Sequence, residues 1–242
     1  MLKLLKYELI GSYRQFFMVF LCFIIGCIVI PFLPLDAKEV LGGFVIMATF
    51  GIGIAITVTI IMNFVKSMYG KPGYLTLTLP VSTKELVASK ILGAVIWNII
   101  GTIVLGIGMT IMILTIENMP IGEFFSGLGE FISKFGSYYV EFFQAIITML
   151  VVLFATISSL YLVITFVQTK FIPKYKGLIG VVGYFGLMVL IELIFSWNPI
   201  YNFYSGLSQT GIIVFINAVC ILGGVISYFG TVYFINHKIE VE

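Results

Sequence analysis

The chain has 242 residues, of which 60% are hydrophobic and 10% charged, and its mean hydropathy is +1.15. Soluble domains are nearer half apolar and a quarter charged, so a water-soluble globular domain is excluded. A net charge of +2 is too small to point to nucleic acid.

The first residues carry Leu2, Leu5, Leu9 and Tyr13 at helical spacing, with Lys3, Lys6 and Arg14 on a neighbouring stripe. This pattern predicts an amphipathic interfacial helix over residues 1–15, held on the inner leaflet by anionic lipid or serving also as an elbow against a cytoplasmic partner. Six apolar blocks follow, each near the ~20 residues that hydrocarbon requires: Phe16–Leu35, Leu41–Val65, Ile91–Ile116, Phe142–Val167, Leu178–Trp197 and Gly211–Ile235. Backbone groups in lipid must be paired internally, so all six are expected to be helices. The first is read as a retained span and not a cleaved signal, because it is long, contains Pro31 and Pro34 and lacks a small-residue cleavage site. Residues 1–242 are therefore expected to form one all-α transmembrane domain. Cys22, Cys27 and Cys220 lie inside the apolar blocks, where thiols behave as small hydrophobes and suggest neither disulfides nor a metal site.

Charge gives the expected orientation. If the spans alternate, eleven of the 13 Lys and Arg residues fall on one side, leaving Lys38 and Lys134 opposite. The positive-inside rule makes that side cytoplasmic, with both termini on it. The opposite segment between spans three and four carries Glu117, Glu123, Glu130 and Glu141. Its stretch from Gly122 to Glu141 alternates phenylalanines with charges and is expected to form an amphipathic helix on the outer leaflet. Phe16, Phe17, Tyr138, Tyr139, Trp197, Tyr201 and Tyr204 sit at span borders, where amphipathic rings suit the headgroup layer.

The segment between spans two and three is the most distinctive. Gly70 to Ser82 is rich in Gly and Pro yet carries Tyr74, Leu75, Leu77 and Leu79, which a solvated loop does not need. Pro72 can open a short helix and Pro80 end it. Ser82 and Glu85 then have capping-box spacing, with Val81 and Leu86 at the staple positions. Span three is thus expected to extend as a rod from about Thr83 to Ile116 with a short element at its foot. A tight turn whose leucines dip into the interface is the competing reading of the residues alone.

Tyr74-Leu-Thr-Leu-Thr-Leu-Pro-Val-Ser82, followed by Leu86 and Ser89-Lys90, resembles the ABC-2 type permease family. The resemblance covers the whole chain: an amphipathic start, six spans, inward termini and no ATPase domain. It implies that Lys71, Pro72, Gly73, Tyr74, Leu75, Thr76, Leu77, Thr78 and Leu79 form a coupling helix that docks on a separate ATP-binding subunit, two permeases pairing with two ATPases. It also implies a bacterial plasma-membrane exporter of amphipathic or hydrophobic peptides, similar to exporters of phenol-soluble modulins or lantibiotics, working as a homodimer or with a similar chain. No G-x-x-x-x-G-K-[ST] occurs, so ATP and magnesium are expected on the partner and no cofactor on this chain.

Within the spans, Glu192 is the one ionisable residue well inside a block; it either bonds a neighbouring helix or faces an outer vestibule, or else contacts cationic substrate groups. Asn63, Asn98, Gln144 and Asn217 are further candidates to line a path, Asn98 being kept beside Glu192, although bonding between helices is the role expected of such amides. Gly177, Gly180, Gly183 and Gly186 are expected to admit a neighbouring helix at close range. With one histidine, His237, and neither H-E-x-x-H nor G-x-S-x-G, no catalytic or metal residues are assigned. A secondary transporter or channel, and a non-transporting scaffold or immunity protein, remain as rival functions; the first lacks internal repeats and midplane ionisable groups here.

Overall fold

The computed structural model describes residues 2–29, 38–70, 81–116, 120–135, 138–169 and 175–238. Among these there are eight helices and no strand. They are α1 (Leu2–Val29), α2 (Lys38–Tyr69), α3 (Thr83–Ile116), α4 (Ile121–Phe135), α5 (Tyr139–Val167), α6 (Lys176–Ser196), α7 (Asn198–Ser205) and α8 (Gln209–Lys238). Six of them, all but α4 and α7, are long and apolar enough to cross a membrane. The expected all-α architecture is present among the described residues, with six helices of spanning length and apolarity.

Four details differ from the sequence expectation. α1 runs unbroken from Leu2 to Val29, so residues 2–15 are the first half of one helix. No proline interrupts it before Pro31, and the charges that marked a boundary in the sequence simply occupy its outward side. The amphipathic stretch around Glu123 and Glu130 forms α4 but stops at Phe135, and Glu141 lies in the first turn of α5. α7 was not anticipated: Pro199 stands near its start, where a missing N–H costs nothing. Lys90 lies within the anticipated rod α3 but is only 2% exposed, a burial that its charge did not announce. By contrast α3 has the anticipated extent. Its 34 residues make a rod of about 51 Å, longer than the ~30 Å of hydrocarbon.

The chain divides into two compact units. One comprises Lys6–Ile60 and Ile96–Ala145. Within it α1 and α3 run parallel. Ser12 accepts a hydrogen bond from Trp97 Nε1 at 2.9 Å, the Phe16 ring stacks on Trp97 with centroids 4.4 Å apart, and further along Phe23 and Cys27 flank Gly108. Ser12, Phe16, Phe20 and Cys27 are the buried residues of α1 and lie on one face of it. In the same unit α2 runs antiparallel to α3, with Ile56 against Gly101 and Thr49 Oγ1 3.5 Å from Met109 Sδ.

The other unit comprises Met1–Leu5, Ile61–Val95 and Ile146–Glu242. Its centre is α5, the most buried of the six long helices. α5 and α8 run parallel: Asn217 Nδ2 donates to Thr148 Oγ1 at 3.0 Å, Phe154 packs over Gly224 and Leu162 over Gly230, and Phe166 meets Phe234 edge-on. α6 returns antiparallel along α5, with Val167 near Gly180, Val163 near Gly183, and the Tyr184 hydroxyl bonded to Ser159. No residue of α6 is buried. At its far end Phe195, Tyr204 and Phe215 join α6, α7 and α8 through ring contacts of 6.3–6.4 Å.

Candidate functional site

The buried polar groups are unevenly distributed. Apart from Ser12, those among the described residues all belong to the α5-centred unit: Ser89, Lys90, Ser158, Thr165, Thr169, Ser227 and Thr231. Most stand near the end of α2, the start of α3, the end of α5 and the end of α8. The first two of these ends precede and follow residues 71–80 in sequence.

α2 closes with Tyr69 and a hydrogen bond from Gly70 N to Val65 O of 3.2 Å. A Cβ on Gly70 would lie 2.6 Å from the Lys66 carbonyl oxygen, so the chain leaves the helix there only because that residue has no side chain. The Tyr69 hydroxyl donates to Thr165 Oγ1 at 2.9 Å, joining α2 to α5. One turn earlier the Phe64 ring stacks on Tyr161 at 3.9 Å and 8°, an arrangement worth about 0.5–1.5 kcal/mol beyond area burial. Between these contacts Met68 is fully buried.

α3 opens on the other side of the segment. Ser82 Oγ accepts from Glu85 N at 3.3 Å, which satisfies one of the unpaired N–H groups of the first turn. The Thr83 hydroxyl donates to Asn236 Oδ1 at 2.7 Å, and Tyr228 donates its hydroxyl proton to the Lys84 carbonyl at 2.9 Å. The foot of α3 is thereby tied to the end of α8. Two turns on, Lys90 Nζ donates to Ser67 Oγ at 2.7 Å, and Ser67 in turn donates to the Asn63 carbonyl at 2.6 Å. This chain of donors ties α3 to α2.

The nine residues Lys71–Leu79 expected to dock a partner lie outside the described residues. Ser82 and Glu85 are exposed at the α3 foot. Glu192 is exposed on α6. Asn98 is half-buried on α3 in the other unit, its carbonyl accepting the Thr102 hydroxyl at 3.0 Å. Glu192 and Asn98 thus stand in different units. Asn217 bonds between helices as expected. Among the described residues no three His, Cys, Asp or Glu side chains gather as metal ligands.

Sequence reasoning missed Tyr69, Thr165, Phe64, Tyr161, Ser67 and the burial of Lys90. One signal was available: Ser158, Tyr161 and Thr165 recur at helical spacing through a stretch otherwise aliphatic but for Ser159, marking a polar face on α5. No protein-family model, curated protein or solved structure matches this chain.

Proposed function

We propose that the chain is the membrane-spanning subunit of an ATP-driven exporter of the ABC-2 type, resident in a bacterial plasma membrane. The single observation that carries this reading is the bonding of the two helix ends that precede and follow residues 71–80 in sequence. A segment carrying Tyr74, Leu75, Leu77 and Leu79 is flanked in sequence by helix ends that are bonded to α5 through Tyr69, to α8 through Thr83 and Lys84, and to each other through Lys90 and Ser67. A solvated turn has no use for such a frame, whereas a docking element that receives force does.

The rod α3 supports the same reading. Its first eight residues, Thr83 to Lys90, carry Lys84, Glu85, Ser89 and Lys90, and the remaining 26 are long enough by themselves to span hydrocarbon. Lys66 at the end of α2 and Lys176 at the start of α6 mark the same ends in the α5-centred unit. That asymmetry favours a cytoplasmic location for the docking segment. The first turns of α1, with Lys3, Lys6 and Arg14 exposed, suit the headgroup level of the inner leaflet.

In this reading Lys71–Leu79 docks on a separate ATP-binding subunit, which holds ATP and magnesium and performs the hydrolysis. Two copies of that subunit serve two permease chains, and the pair of permeases encloses the path for amphipathic or hydrophobic peptides. Glu192 and Asn98 are the polar candidates along that path.

The test is to purify the tagged chain from its native host in mild detergent and identify any ATPase that accompanies it. A stoichiometric ATPase is expected with the wild type and with neither Tyr74→Ala nor Leu77→Asp, both of which remove apolar docking contacts. Purification of the wild type without an ATPase across several mild detergents overturns the reading.

A further inference from the structure

Tyr69 is the last residue of α2 before the segment 71–80, so any displacement of that segment reaches its backbone first. The side chain is held by a partner that cannot yield to solvent, because Thr165 is 0% exposed and their hydroxyls are 2.9 Å apart. Phe64 on Tyr161 and the fully buried Met68 prevent the two helix ends from sliding independently. Close-packed interiors transmit such displacements with little compression.

We infer that the ends of α2 and α5 move as one body, with Tyr69 and Thr165 acting as positioning residues that pass displacement of the segment to α5. The inference rests on the exporter reading and identifies which helix receives the motion first. α5 is suited to that role because it also contacts α6 through Val163, Val167 and Ser159 and α8 through Thr148, Phe154, Leu162 and Phe166. A helix with three packed neighbours distributes a small shift; α6, with no buried residue, does not.

The Tyr69–Thr165 bond is one neutral interhelical contact, and such bonds in membranes average about 0.6 kcal/mol, equivalent to roughly threefold in a rate. The experiment uses the permease–ATPase complex in liposomes and measures ATP turnover for the wild type, Tyr69→Phe, Thr165→Val, the double variant and Thr165→Ser.

The expected result is a kcat about threefold lower for each single variant and no lower for the double variant, since both remove the same bond. KM for ATP and the ATPase-to-permease ratio stay unchanged, and Thr165→Ser restores turnover by restoring the hydroxyl. Detergent melting temperatures of the variants provide the control, because a purely structural role changes melting and ratio without that pattern. Wild-type turnover in both single variants, or losses that multiply in the double variant, overturn the inference while leaving the exporter reading intact. A wild-type chain that carries no ATPase overturns both.

Discussion

At the scale of single residues, the close approaches of helices depend on glycines other than those that stood out in the sequence. Gly177, Gly180, Gly183 and Gly186 recur every three residues, but each step of three turns a helix through about 300°, so the four fan across half its circumference. Only Gly180 and Gly183 face α5; a Cβ on Gly186 would meet nothing within 4 Å. Gly224 on α8 is different. A Cβ there would lie 2.6 Å from the Phe154 ring and 3.2 Å from the backbone Cα of Ala155, and a backbone atom cannot rotate away. Gly224→Ala is therefore expected to destabilise the protein by about 1–3 kcal/mol through overpacking. Gly186→Ala is expected to leave stability unchanged or raise it by up to about 1 kcal/mol through helix propensity. Thermal unfolding in detergent measures both. A Gly224→Ala protein that melts with the wild type would mean that α8 is free to move away from α5.

At the scale of elements, the foot of α3 combines a local signal with a tertiary one. Ser82 caps the helix by accepting from Glu85 N at 3.3 Å. Ser82→Ala removes that acceptor, and a lost cap of about 1 kcal/mol accelerates amide exchange in the first turn roughly fivefold. Hydrogen exchange at Glu85 and Leu86, whose amides bond to Ser82, is expected to increase accordingly while the middle of α3 is unaffected; equal acceleration along the whole helix would assign Ser82 a global role. Elements with their own signals were legible in the sequence: apolar length gave the six spans, and Ser82 with Glu85 gave the start of α3. Where a signal was tertiary, it was not. The unbroken course of α1 depends on the burial of Ser12 and Phe16 against Trp97, a partner 85 residues distant in the bond from Trp97 to Ser12. α7 is only eight residues long and is held by rings from α6 and α8. The burial of Lys90 was not legible because its acceptor, Ser67, belongs to another helix.

At the scale of the whole molecule, the proposed function rests in the sequence on the segment from Tyr74 to Ser82 and hardly on the helices, because many apolar sequences satisfy the same spanning requirement. The frame of Tyr69, Thr165, Thr83 and Asn236 was hidden for the opposite reason: hydroxyl and amide side chains acquire meaning only when packing brings their partners within reach. Orientation links these two levels, because the docking segment can meet a cytoplasmic ATPase only if the basic ends face inward. Lys66, Lys84 and Lys176 stand at such ends, whereas Glu123 and Glu130 lie on α4. With Cys22, Cys27 and Cys220 replaced by serine, a single cysteine at Lys84 or at Glu123, both exposed, reports its side by reaction with a membrane-impermeant maleimide. Lys84→Cys is expected to react only after the cells are opened, and Glu123→Cys in intact cells. The reverse pattern would turn residues 71–80 to the outside, where no ATP-binding partner exists, and would remove the exporter reading however well the helix frame is built.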